Sequence, residues 1–153
     1  MTIKILTYPQ DALPYNIGTK TLVGGCFDLL HFGHLSFLKA AKELADNLII
    51  CLESDTTIQR MKKAAPIHTQ KQRAEILAEL ICVDYILLLP ALSSYDDYLK
   101  LVKAIQPNFL AVTKGDPQLA NKQQQAHDVG ATVIEVNQLI EGLSSSLIRH
   151  NHL

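Results

Sequence analysis

The chain is expected to fold as a doubly wound α/β domain, a Rossmann-like, mainly parallel five-stranded sheet with helices on both faces. Three observations lead there. Short runs rich in Val, Ile and Leu alternate along the chain with stretches of helical periodicity. Those runs are apolar throughout rather than at every second residue, the pattern of strands covered on both faces. Strand–helix–strand order also calls for right-handed crossovers between parallel neighbours. With 153 residues, 48% apolar and 19% charged, the chain can bury one sizeable core and is too apolar for wholesale disorder.

The strands are expected at residues 21–26, 48–52, 83–89, 109–112 and 132–136, each a short apolar run bounded by turn residues. The first helix follows Gly33, with Leu35, Leu38, Ala41, Leu44 and Ala45 at helical spacing and Lys39, Lys42 and Glu43 as its polar face. Thr69 is a plausible N-cap for a second helix over 69–81, which turns Ala74, Ile76, Leu77 and Leu80 inward. Residues 95–105 and 119–129 complete the set, stopped by Pro107 and Gly130. Residues 1–19, carrying Pro9, Pro14 and Gly18, read as an N-terminal appendage packed against a single domain of residues 20–153.

Charge and cysteines narrow the functional classes. Lys plus Arg number 14 against 15 Asp plus Glu, a formal charge of −1. That excludes a protein held on nucleic acid mainly by charge, while a locally basic pocket for a phosphate ligand stays open. No apolar run approaches the ~20 residues of a membrane span. The N-terminus lacks the pattern of a secretory signal. Cys26, Cys51 and Cys82 are odd in number and include no C-x-x-C, as fits buried reduced thiols in a cytoplasmic protein.

In doubly wound sheets ligands sit beyond the carboxyl ends of the strands, so the residues just after each strand carry the chemistry. The first strand runs into Gly24 and Gly25, and His31 and His34 then flank Gly33 at a helix start. Glycines let backbone N–H groups approach phosphate oxygens, and a helix start favours negative charge. Two imidazoles there can donate hydrogen bonds to a phosphoryl group whose charge grows in the transition state. Neither the G-x-G-x-x-G dinucleotide fingerprint nor the G-x-x-x-x-G-K-[ST] P-loop is present. A zinc site around His31, His34, Cys26 and Asp28 would need a further well-spaced ligand, and no second His/Cys cluster supplies one. Two capping or core histidines are the plain structural alternative.

Gly25 to His34, G-C-F-D-L-L-H-F-G-H, resembles the signature of the cytidylyltransferase-like nucleotidyltransferases. Gly142 to Arg149, G-L-S-S-S-L-I-R, resembles that superfamily's second, Ser/Thr-rich element, G-[IC]-S-[ST]-[ST]-x-I-[RK]. The resemblance covers roughly residues 20–150 and implies transfer of a nucleotidyl group from ATP or CTP to a phosphorylated acceptor, with release of pyrophosphate. The acceptor phosphate would attack the α-phosphorus in line, without a covalent enzyme intermediate. By motif position, His31 and His34 would stabilise the α- and β-phosphates, and Gly25, Cys26, Phe27 and Gly33 would line the nucleotide. Ser144, Ser145 and Ser146 would offer hydroxyls and amides to the triphosphate, although one serine of such a run is ordinarily a helix cap. The relatives more often carry Ser-Thr-Thr or Ser-Ser-Thr there. Some also place an Arg where Leu139 and Ile140 stand, a cation that Arg149 could replace.

The stretch from Ser54 to Lys62, followed by Pro66-Ile67 and Arg73, resembles the heptose-phosphate adenylyltransferases. Lys62 would then hold the acceptor or leaving phosphates, and Arg73 would either brace the loop or reach the site. A charge run is otherwise a solvated face. Lys114, Gly115 and Asp116 follow the fourth expected strand, either as a plain turn or, as in relatives, beside the base and ribose. His68, His127, His150 and His152 read as surface residues. The resemblance further implies Mg²⁺ carried with the triphosphate and, by analogy alone, a homodimer. Cys26 and the Arg60-Met61-Lys62 run favour ATP as donor and a sugar phosphate as acceptor. A glycerol-phosphate cytidylyltransferase, or a non-catalytic nucleotide-binding protein on the same scaffold, are the other readings.

Overall fold

The computed structural model describes residues 4–137. Along the chain run β1 (Ile5–Thr7), β2 (Lys20–Gly25), α1 (Phe32–Lys42), β3 (Asn47–Leu52), α2 (Asp55–Lys62), α3 (Gln70–Ala78), β4 (Tyr85–Leu88), α4 (Tyr95–Ile105), β5 (Phe109–Thr113), α5 (Leu119–Val129) and β6 (Thr132–Asn137). The strands form one sheet in the order β1-β4-β3-β2-β5-β6, and every pairing is parallel. From β2 the chain winds outward through β3 to β4, then crosses back to β5 on the other side of β2. In sheets of this kind ligands sit beside the carboxyl end of the strand where the order reverses, here β2.

The apolar strands serve two cores with a period of two. Val23, Leu48, Ile50, Leu52 and Ile86 face Phe37, Leu38 and Ala41 of α1 and Ala74 and Leu77 of α3. Leu22, Ile49, Cys51, Tyr85 and Leu87 face Leu101, Val102 and Ile105 of α4 and Ala126 of α5. Both faces are therefore covered, as the continuous apolar runs require. Thr69 caps α3 in a reciprocal capping box with Gln72, and Gly130 ends α5 in the left-handed conformation.

Four expectations need correction. The sheet has six strands rather than five, because Ile5–Thr7 pairs with Ile86–Leu88 at the edge. A three-residue strand whose partner lies some eighty residues away leaves no periodic trace in its own sequence. Asp55–Lys62, read as a charge run, is a helix; it buries only Thr57 and Ile58, so its apolar stripe is too thin to register. Its ends nonetheless carry ordinary signals, with Ser54 accepting from the Thr57 amide and Arg60 and Lys62 in the last turn. Leu35 and Ile76, expected to point inward, are exposed, because each falls just outside the stripe its helix turns to the sheet. Among the thiols Cys51 is buried, whereas Cys26 and Cys82 are only partly so.

Candidate active site

The site begins where β2 ends. At Gly25 a β-carbon would lie 2.8 Å from Cε2 of Phe27, so only glycine allows the ring to fold back beneath the loop. Phe27 itself is buried and adopts a left-handed backbone, φ 48°, a conformation that costs a non-glycine residue free energy. The bend that this produces turns the chain into α1 and sets the two histidines at its start.

His31 is the N-cap of α1, and the two histidines form a reciprocal capping box. Nδ1 of His31 accepts from the amides of Gly33 (3.1 Å) and His34 (3.4 Å), while Nδ1 of His34 accepts from the His31 amide (3.3 Å). The rings stack with centroids 3.9 Å apart, and Phe27 meets His34 edge to face at 5.5 Å. Burial holds the His31 pKa below the usual imidazole range. His34 is pushed down to about 4, first by burial and then by the charges of His31 and Lys62. Both rings are therefore neutral near pH 7. A neutral imidazole whose Nδ1 is an acceptor carries its proton on Nε2. Each histidine thus presents one N–H, fixed in tautomer by the backbone behind it. Nε2 of His31 is buried and has no partner among the described residues, a donor waiting for an acceptor. The Gly33 and His34 amides at the helix start are turned to His31 Nδ1.

A second group of residues fixes this loop against the rest of the site. Arg73, with 0% exposure, donates from Nη1 to the Cys26 carbonyl (2.7 Å), from Nε to the His68 carbonyl (3.1 Å) and from Nη2 to Asp55 Oδ1 (2.7 Å). Asp28, also buried, accepts from the amides of Ile67 (2.8 Å) and His68 (2.9 Å). His68 is accordingly no surface residue: its ring is half-buried, with Nδ1 3.9 Å from Asp28 Oδ1. His127, in contrast, is exposed. Sequence reasoning missed Asp28 and His68 as parts of this clamp, since no short-range pattern joins them to residues forty positions away.

Lys62 ends α2 as an exposed side chain, near enough for its charge to add to burial in lowering the His34 pKa and to oppose the burial that raises the Cys26 pKa. The structure thus brings it to the signature loop. Lys114, Gly115 and Asp116 lie just beyond β5, the neighbour of β2. Gly115 takes the left-handed conformation (φ 81°) that suits glycine. Asp116 pairs with Lys122 at 2.6 Å and accepts from the Gln118 amide, while Lys114 is exposed. Ser144, Ser145, Ser146, Arg149, His150 and His152 lie outside the described residues. No group of three His, Cys, Asp or Glu among the described residues could hold a metal ion. Nor is any described helix long and apolar enough to cross a membrane.

Neutral imidazole donors beyond the carboxyl end of β2, with a lysine nearby, suit phosphate groups. A family model described as cytidylyltransferase-like matches residues 22–151, and the chain belongs to the cytidylyltransferase-like family. It is 43% identical over 125 residues to the bifunctional protein HldE of Helicobacter hepaticus, covering 81% of this chain and 24% of that protein. The HldE of Helicobacter pylori strain J99 is 41% identical over 142 residues, covering 90% and 28% respectively. The chain therefore spans about a quarter of the length of these curated relatives. Among solved structures, the lipopolysaccharide core biosynthesis protein from Thermoplasma volcanium superposes with a TM-score of 0.63 at 27% identity, covering 80% of this chain and 97% of that one. A pantoate-beta-alanine ligase from Francisella tularensis reaches 0.67 at 20% identity, over 92% of this chain and 67% of its own, and shares the fold.

Proposed function

We propose that the chain transfers a nucleotidyl group from ATP to a phosphorylated sugar, forming the nucleotide-sugar product and pyrophosphate. The observation that carries this reading is the histidine pair, two neutral rings whose Nε2–H donors are aimed by the backbone of α1. In the reaction an acceptor phosphate oxygen attacks the α-phosphorus and the bond to the β-phosphate oxygen breaks, with pyrophosphate leaving opposite. Charge moves onto the α-phosphoryl oxygens and the leaving group, where His31 and His34 donate. Lys62 holds the acceptor phosphate from the rim. No general base is needed, because the attacking phosphate is already anionic; positioning and electrostatics supply the catalysis. Ser144, Ser145, Ser146 and Arg149 complete the triphosphate cradle, and Lys114, Gly115 and Asp116 border the base and ribose.

Mg²⁺ enters with the triphosphate, held by its oxygens and by water. Support for a sugar acceptor comes from the resemblance of the stretch from Ser54 to Arg73 to the heptose-phosphate adenylyltransferases and from the Thermoplasma relative named for lipopolysaccharide core biosynthesis. The chain works in the cytoplasm and pairs as a homodimer.

The deciding experiment is release of pyrophosphate from ATP or CTP, with α-phosphate label, over a panel of hexose and heptose 1-phosphates and glycerol 3-phosphate. Label from ATP should pass mainly to a sugar phosphate, with a measurable minority from CTP, because both bases present an amino donor beside a ring-nitrogen acceptor. A product carrying mostly cytidylate would overturn the donor assignment. Nucleotide binding without pyrophosphate release from any pair would replace the enzyme by a binding protein on this scaffold.

A further inference from the structure

We propose that Glu53 reads the acceptor, its unpaired carboxylate oxygen receiving a hydroxyl of the sugar whose phosphate attacks. The inference rests on the nucleotidyl-transfer reading above and names the residue that selects its second substrate. Glu53 is the first residue after β3, and its amide donates to the carbonyl of Gly25 at 3.0 Å. Its backbone is thereby locked to the last residue of β2, where the signature loop begins. Its side chain follows Ile49 and Cys51 to the α4 face of the sheet, across from the face that α1 covers. Tyr98 of α4 donates to Oε2 at 2.7 Å. The tyrosine's 3.4 Å approach to the Leu92 carbonyl is the weaker alternative for the same proton. That carbonyl is already occupied by Arg60 at 3.0 Å.

Among the described residues the other oxygen, Oε1, accepts no hydrogen bond, and it is not one of the sealed atoms left without a partner. Only 8% of the residue is exposed, so this oxygen faces a narrow opening. Arg60, Lys122 and Arg73 are near enough to favour its charge, yet none of them bonds it, and burial prevails in raising its pKa. A buried carboxylate without an ion-pair partner costs stability. Among the described residues the Glu53 side chain makes only the one hydrogen bond from Tyr98. A cost kept without structural return, beside a phosphate-transfer site, points to a ligand. Lys62 and Glu53 both act electrostatically on Cys26 of the signature loop, so both lie near it, at the carboxyl ends of β2 and β3. A ligand held there by its phosphate on Lys62 turns its other end to Glu53. A carboxylate repels a second phosphate and accepts from a hydroxyl, which fits a polyhydroxylated acceptor. Sites built to bind a hydroxyl reject the analogue lacking it, because the buried acceptor is then left unpaired.

The test takes the acceptor that the purified chain uses best, together with its set of monodeoxy analogues, in a pyrophosphate-release assay. Glu53→Gln keeps the shape and the Tyr98 contact. It should raise the acceptor KM by about tenfold to a hundredfold, with kcat and the nucleotide KM within about threefold of wild type. For one deoxy analogue, wild type and Glu53→Gln should become equivalent, since the partner hydroxyl is then gone from both. Tyr98→Phe, which leaves the carboxylate in place, should raise the acceptor KM by a smaller factor in the same direction. An unchanged acceptor KM in Glu53→Gln, or the same loss on every deoxy analogue, would overturn the proposal and leave nucleotidyl transfer standing. A rise in the nucleotide KM instead would assign Glu53 to the ribose, and overturn it too. Absence of turnover by wild type with every pair would overturn the underlying reading itself.

Discussion

The two halves of the site are held by opposite means. The histidine pair is a local device: His31 and His34 are three residues apart, and each fixes the other through the backbone of one helical turn. The clamp is a long-range device, in which Arg73 reaches the Cys26 carbonyl across 47 positions and Asp28 reaches the His68 amide across 40. The pair presents donors outward, whereas the clamp spends its donors on carbonyls and on Asp55. From this contrast it follows that damage to the pair should fall on turnover and damage to the clamp on the folded state.

Breaking the clamp should have the largest effect. Arg73→Met keeps apolar volume but leaves the carbonyls of Cys26 and His68 without their donor and Asp55 without its cation. The expected loss is about 3–5 kcal/mol of unfolding free energy, read by urea denaturation. A loss under about 1 kcal/mol would mean that water replaces the guanidinium freely, and that the clamp is no clamp.

Breaking the pair should leave the fold and spoil the chemistry. His31→Ala and His34→Ala should each lower kcat on the order of a hundred- to a thousand-fold with nucleotide binding retained, as for removal of one oxyanion donor. The loss of the cap adds only about 1 kcal/mol of destabilisation. Normal turnover in both variants would remove the imidazoles from the reaction.

Lys62 separates binding from turnover within the reacting half. Lys62→Ala should raise the acceptor KM by roughly tenfold, more than it lowers kcat, because a lysine on the acceptor phosphate serves ground and transition states alike. Lys62→Arg should recover only part of this, since a planar guanidinium does not replace a compact ammonium. An acceptor KM untouched by either change would pass the role to Lys63 or another cation.

The smallest effect is the pH dependence of stability that His34 contributes. The folded pKa of His34, about 4, lies below the ordinary imidazole value of 6.5. Between those values the unfolded chain binds the proton and the folded chain does not. The stabilisation is therefore complete above pH 6.5 and is lost as pH falls toward 4. His34→Asn, still able to cap, should lose less Tm than wild type between pH 6.5 and 4. Parallel Tm curves for the two proteins would show that burial does not hold His34 neutral.

The same contrast decided what could be read in advance. H-x-G-H was legible because its geometry is contained in four residues and a helix start. The ends of α4 and α5 were legible because Pro107 and Gly130 stop them locally. Lys62 could be placed near the site only through the rule that loops beyond strand ends carry ligands. Glu53 follows the same rule, directly after β3, and that was the available signal for it. Nothing in the local sequence, however, says that Tyr98 of α4 will meet it.

The sequence by itself determined the doubly wound class, both covered sheet faces and the place of the histidine turn at the start of the first helix, because period, capping and spacing act within a few residues of the chain. Tertiary structure alone decided that Ile5–Thr7 joins the edge of the sheet and that Arg73 faces inward with 0% exposure. It alone decided also that His68 lies against Asp28 and that one oxygen of Glu53 stays unpaired among the described residues. Each of these depends on which distant backbone groups need a hydrogen bond once the core has closed, a demand that arises only when the strands have found their order.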